Sequence, residues 1–335
     1  MNNYSVGISG VGSFVPEKIL TNQKLSQMVD TSNEWIVERT GIHERRIVEG
    51  HISTSDLGTE AAKRALEDAN LKPEDIDLII VATITPDHLF PSTACIIQNN
   101  LGAVNASAFD INAACTGFIY GVVTGAGFIK SGNYKRVLVI GSETLSKIID
   151  WEDRNTCVLF GDGAGACILE RCDEEYGILA YELGADGKNR DVLIQPAGGS
   201  RIPITMENIE RKLHTLKMDG KEVFKFAVRT MEKSTLSVLG KANMNIDELD
   251  FLVPHQANIR IIDAARKKLN LSMKKIFVNL NKYGNMSSAS VPVALDEAIK
   301  EKKIKKGDKV LLIAFGAGLT WGSIILKWNR EEDNV

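Results

Sequence analysis

Several common signposts are missing from this chain of 335 residues. Its five cysteines (Cys95, Cys115, Cys157, Cys167, Cys172) form no C-x-x-C pair and no zinc-like spacing with histidine. That argues against a disulfide framework and against a structural metal site. Neither sign of charge dominates: 40 Lys and Arg against 43 Asp and Glu leave −3. This excludes a globally basic nucleic-acid binder and an acidic disordered chain. No phosphate-binding G-x-x-x-x-G-K and no G-x-S-x-G elbow is present, and Gly161-Asp-Gly-Ala-Gly165 has the wrong spacing for a dinucleotide fingerprint. The opening MNNYSVGISGVGSF lacks a basic stretch followed by an apolar one, so no export signal is expected and a cytoplasmic location is. What is present is ordinary globular material, 44% apolar and 25% charged, enough for a large core.

Long hydrophobic runs are scarce. Ile111 to Ile129 is free of charge over 19 residues, with Gly117, Gly121 and Gly125 four apart. Such glycine spacing marks paired membrane helices, yet a span needs about 20 residues and polar Asn112, Cys115 and Thr116 occupy the start. The stretch therefore reads as a helix buried inside the protein, with no membrane insertion. A second charge-free run, Val310 to Leu326, reads as two buried strands joined by a turn.

The order helix then strand occurs at Ser55–Asn70 with Asp77–Thr83, and again at Glu222–Ala242 with Leu249–Pro254. Val291–Lys303 with Lys309–Phe315 gives it a third time. ALEDANLKPEDIDLIIV and VLGKANMNIDELDFLV align without a gap, so that Asp77 stands 173 residues before Asp250. The same offset lays KRVLVIG over DKVLLIA. One offset shared by distant segments indicates a duplicated unit. The expected fold is α/β, two related halves at residues 1–175 and 176–335, each a mixed sheet wrapped by helices.

This register sets Cys115 opposite Ser288 near Asn285, and Ala82 opposite His255. Equivalent loops of related halves meet at their interface, where clefts form, so Cys115, His255 and Asn285 are expected to be neighbours. Cys115 stands between a strand and the start of a helix, a place that favours a thiolate nucleophile suited to acyl transfer. His255 alone among the five histidines ends an apolar strand. Gly316-Ala-Gly318-Leu-Thr-Trp-Gly322 leaves backbone N–H groups bare beside a cleft, as an oxyanion requires. Trp35 and Arg39 form an i, i+4 pair able to clamp a nucleotide base. Between Arg260 and Lys275, six basic residues face a single Asp263, either a solvated face or a landing surface for an acidic partner.

Taken together, SGVGSFVPEKILTN, NEWIVERTGI, DINAACTGF, FGDGAGA, VPHQANIRI, YGNMSSASVP and FGAGLTWGS run through nearly the whole chain. In these motifs the sequence resembles β-ketoacyl-acyl-carrier-protein synthase III, the initiating condensing enzyme of bacterial type II fatty-acid synthesis, in the thiolase superfamily. The resemblance implies a layered αβαβα thiolase fold with two mixed sheets and a catalytic set matched by Cys115, His255 and Asn285. It implies that an acyl-coenzyme A primer and malonyl-acyl-carrier protein are condensed with loss of CO2. No metal or redox cofactor is implied, only coenzyme A as part of a substrate.

By the same resemblance Trp35, Arg39 and Arg154 meet the adenine end of coenzyme A, and Gly220, Phe224, Ala257 and Asn258 line the pantetheine tunnel. Gln256, Ala257, Asn258, Ile259 and Arg260 face the carrier protein. Cys115 and Gly318 supply the oxyanion hole. Leu145, Phe160 and Leu193 form the acyl pocket, closed by Phe90 from the partner of a homodimer. Ala317 and Leu319 in GAGLTWG depart from the family's usual residues and bear on primer choice, and Lys221 stands where asparagine is common. Two rival readings follow from the same residues: a polyketide- or quinolone-type condensing enzyme taking a coenzyme A-linked extender, and a membrane oligomer built on the glycine-spaced helix.

Overall fold

The computed structural model describes residues 4–331. Nine strands build two main sheets: β1 (Ser5–Phe14), β2 (Leu78–Ala82), β3 (Ser107–Ile111), β4 (Val137–Thr144), β5 (Asp162–Cys172), β6 (Gly177–Ala185), β7 (Phe251–Pro254), β8 (Lys309–Gly316) and β9 (Thr320–Lys327). The helices that matter here are α1 (Asn33–Thr40), α2 (Thr54–Asp68), α3 (Thr93–Leu101), α4 (Gly117–Lys130), α5 (Gly220–Lys241), α6 (Ile259–Lys268) and α7 (Ser290–Lys300).

The first sheet runs β1-β5-β4-β2-β3 and the second β6-β9-β8-β7. In the order written, the first two pairings of each sheet are antiparallel and the third, β4 with β2 or β8 with β7, is parallel; the first sheet adds a parallel pair, β2 with β3. The repeat is thus topological as well as textual. It extends to single residues: the short turns Pro73–Asp75 and Ile246–Glu248 match, as do Ala114–Thr116 and Ser287–Ala289. Asn70 and Asn243 share a positive φ (52° and 53°), and so do Ala114 and Ser287 (48° and 47°).

α4 and α7 lie between the sheets, while α2 and α5 cover the outer faces, giving five layers. The central strands read as apolar runs because both of their faces are covered: β2, LIIVA, is buried throughout. α4 uses its glycines to approach the first sheet closely. A methyl group on Gly117, Gly121 or Gly125 would stand 2.8–2.9 Å from Ala82, Val139 or Val137. Its small-residue stripe is therefore spent inside the protein, and no helix among the described residues is long and apolar enough to cross a membrane.

Candidate active site

Cys115 lies where β3 gives way to α4. The positive φ of Ala114 turns the chain sharply there and leaves Cys115 6% exposed at the meeting point of two cavities. The equivalent turn of the second half packs against it and carries Asn285 at its entrance. Gly316, at the end of β8, completes the contact, since a Cβ there would sit 2.8 Å from the Cys115 nitrogen. Gly318 lies two residues on and lines the second cavity.

His255 follows β7, its main-chain N–H donating to the Ile313 carbonyl at 2.7 Å and its ring edge-on to Phe315 at 5.5 Å. Burial pushes the imidazole down to about 3, so the ring is neutral at neutral pH. A neutral ring carries one N–H donor. Asn285 is fixed by main-chain bonds to Leu159 (2.8 Å) and from Gly161 (3.0 Å). Its Oδ1 accepts from the Ser287 N–H at 2.8 Å, which leaves the amide N–H₂ as its free functional group. Two neutral donors and a thiol thus line one cleft of about 720 Å³.

The expectation of a readily ionised thiol needs correction. Burial pushes Cys115 up to about 12, with the nearby Glu143 carboxyl adding to the rise and the Ser287 hydroxyl opposing it. A helix start favours the thiolate, but exclusion of water outweighs it in the resting site.

Glu143 was not legible in the sequence as a site residue. Fully buried at the end of β4, it accepts from the Ile84 N–H (3.1 Å), Thr85 Oγ1 (2.7 Å) and Thr83 Oγ1 (3.2 Å). Ser288 Oγ lies 2.9 Å from its other oxygen and 2.8 Å from the Ala82 carbonyl. Ser288 Oγ donates to this carboxyl oxygen, so four donors converge on the carboxyl. Burial raises the Glu143 carboxyl above its ordinary value, and these donors oppose the rise.

The clefts divide the remaining residues. Gly220, Phe224, Ala257 and Asn258 line the first together with Cys115, His255 and Asn285. Leu145 lines only the second, whereas Phe160 and Leu193 border both. Ala317 lines the second and Leu319 the first, so each departure in the glycine loop touches one cavity. At the mouth, the guanidinium groups of Arg39 and Arg154 lie 4.7 Å and 4.9 Å from the Trp35 ring centre. Asn258 ties this cluster to α6, donating to the Arg39 carbonyl (3.0 Å) and capping the Arg260 N–H (2.8 Å). Phe90 is 86% exposed and borders neither cavity of its own chain.

Two expectations for the carrier surface change. Gln256 is buried, with its amide bonded to Pro254, Phe277 and Asn279, so it offers nothing to an external partner. Half of the basic segment is paired: Arg266 and Lys267 share Asp263, and Lys268 meets Glu232, while Lys275 Nζ donates to the Leu249 carbonyl. Ile259 is half-buried, and Arg260 is exposed, resting 6.0 Å over the Phe224 ring at the cleft mouth. Among the described residues no group of three His, Cys, Asp or Glu side chains is arranged to hold a metal ion.

Two stacked copies of one sheet order, enclosing paired helices that rise from adjoining turns, define a thiolase-fold enzyme. Models of the family described as 3-oxoacyl-[acyl-carrier-protein] synthase III match residues 109–187, and its C-terminal model matches residues 239–328. The beta-ketoacyl-[acyl-carrier-protein] synthase III of Caldanaerobacter subterraneus subsp. tengcongensis is 60% identical over 326 residues, covering 97% of this chain and 98% of that one. The protein of the same name from Clostridioides difficile is 57% identical, covering 97% and 99%. The crystal structure of 3-oxoacyl-[acyl-carrier-protein] synthase III from Aquifex aeolicus superposes with a TM-score of 0.90 at 49% identity, covering 97% of this chain and all (100%) of that one. The chain belongs to the β-ketoacyl-acyl-carrier-protein synthase III family.

The charge held by Glu143 has a direct check, and a neutral acid is the expected outcome. Glu143→Gln reproduces a neutral acid, with its amide N–H₂ donating to Ser288, and should unfold in urea close to wild type. Glu143→Ala strands three buried donors and should lose about 3 kcal/mol or more. Equal losses for the two variants would show that the carboxylate is ionised.

Proposed function

We propose that the two clefts serve two half-reactions joined at Cys115. The enzyme condenses a short acyl-coenzyme A with malonyl-acyl-carrier protein, giving 3-oxoacyl-carrier protein, coenzyme A and CO2, and so begins fatty-acid synthesis. The observation that carries the assignment of roles is the cleft lined at once by Cys115, His255 and Asn285, with a second cavity meeting it at Cys115.

In the first half-reaction the Cys115 sulfur attacks the thioester carbonyl. Its proton leaves with the coenzyme A thiolate, and the acyl chain turns into the cavity of Leu145, Phe160 and Leu193. Backbone N–H groups of Cys115 and Gly318 hold the transient oxyanion. Trp35, flanked by Arg39 and Arg154, presents an aromatic face and two cations to the adenine nucleotide end, and Gly220, Phe224, Ala257 and Asn258 surround the pantetheine arm. In the second half-reaction the malonyl thioester occupies the same tunnel. Neutral His255 and the Asn285 amide donate to its carbonyl oxygen, so the electron pair released with CO2 is held as an enolate. The enolate carbon attacks acyl-Cys115, forming the new carbon–carbon bond and expelling the thiolate. Coenzyme A enters and leaves as part of a substrate, and no step calls for a metal or redox group.

Arg260, exposed at the mouth and without a carboxylate partner among the described residues, is the contact we assign to the acidic carrier protein, with Ala257, Asn258 and Ile259 beneath it. A homodimer fits β3, an edge strand with an open side, beside Leu89 and Phe90, both 86% exposed. Paired in this way, each copy would offer Phe90 to the acyl cavity of the other. Substrates of this kind and free cysteines suit the cytoplasm.

Four outcomes follow. Acetyl-coenzyme A alone should add an acetyl group to Cys115, seen by intact-protein mass spectrometry and absent in Cys115→Ser. His255→Ala and Asn285→Ala should still accept the acetyl group but lose release of CO2 from malonyl-carrier protein by about 10²- to 10³-fold. A matching loss of acetylation in His255→Ala, with the fold intact, would make the histidine the base for Cys115 instead. Arg260→Glu should raise KM for the carrier substrate while sparing acetyl-coenzyme A, with equal losses for both refuting a carrier contact. Sedimentation at micromolar concentration should show a dimer, and a monomer there would leave Phe90 without its role.

A further inference from the structure

Acylation asks for a thiolate in a place that resists one. Burial pushes Cys115 up to about 12, and His255, held near 3, brings no positive charge to offset it. Some other group must favour the anion. Ser287 lies in the turn that mirrors the Ala114 turn and borders the second cavity together with Cys115. It is 1% exposed, and its Oγ is buried without a hydrogen-bond partner among the described residues. A buried hydroxyl left unsatisfied is costly, and such groups occur where they serve a function. The neighbours that this hydroxyl faces are the Cys115 thiol and the Glu143 carboxyl. Glu143 already receives bonds from Ile84, Thr83 and Thr85. Cys115 has, besides Ser287, only its own main-chain N–H.

We infer that Ser287 is a further catalytic residue, whose hydroxyl donates a hydrogen bond to the Cys115 sulfur as the thiolate forms and again when the condensation expels it. The inference rests on the reading of Cys115 as the nucleophile. No bond to Ser287 is made or broken: the thiol proton departs with coenzyme A, and Ser287 keeps its own. This chain therefore uses a neutral hydroxyl where a cysteine hydrolase uses an imidazolium ion.

The test is the pH dependence of Cys115 alkylation by iodoacetamide, read by peptide mass spectrometry in wild type and Ser287→Ala. The alanine is compatible with the backbone, because Ala114 holds the matching φ of 48° in the other half. Its thermal unfolding midpoint should match wild type. The alkylation midpoint should move up by about one to two pH units, and single-turnover acetylation at pH 7 should slow about 10- to 100-fold, the worth of one hydrogen bond to a charged group. Ser287→Gly should shift it likewise. Of the titratable groups facing Cys115, His255 stays neutral above about pH 3 and Glu143 is common to both proteins, so the difference reports the hydroxyl. An unchanged alkylation profile in a folded Ser287→Ala would overturn the role of Ser287 alone. A wild-type enzyme that takes no acetyl group at Cys115 would instead overturn the nucleophile itself.

Discussion

The hydroxyl of Ser288 crosses from the second half of the molecule to the Ala82 carbonyl of the first, and the reactive centre depends on that seam staying closed. On one side of the crossing stands Gly141, where any side chain would strike the Ser288 carbonyl. On the other stands Gly117, against Ala82. Both halves bring their turn of positive φ to this line, so the Cys115 thiol on one turn and the Asn285 amide beside the other are set by backbone, not by flexible side chains. A cluster built this way needs little reorganisation when charge develops, which is what makes fixed donors effective.

Dryness is the second constraint. A thiol, an imidazole and a carboxyl are each driven by burial toward their uncharged forms. A neutral imidazole keeps one N–H to donate, and a carboxyl drawn toward neutrality weighs less on the thiol beside it. For the thiol, the same burial disfavours the anion that the proposed attack on a thioester calls for.

Much of this could be read from the chain because duplication leaves a register. The offset that joins Asp77 to Asp250 carries through to the turns at Ala114 and Ser287, and it brought Cys115, His255 and Asn285 together before any coordinates. What stayed hidden depends on distant partners. Glu143 in VIGSETLS looks like a turn acid, and only Thr83, Thr85 and Ser288, remote in sequence, make it a buried one. Gln256 sits inside a motif that faces the cleft, yet its amide is claimed by Phe277 and Asn279. The positive run after Arg260 reads as a landing surface until Glu232 of α5 takes Lys268. Ser287 reads as one more polar residue in a polar turn, because an unpaired hydroxyl leaves no trace in a string of letters.

Two cavities meet at Cys115 and share the walls of Phe160 and Leu193. A common wall couples the spaces on its two sides. A bulkier side chain at Phe160 or Leu193 is felt in both cavities at once, whereas a change at Leu145 is felt in one. The partition, more than either cavity alone, is where the shape of one space constrains the other.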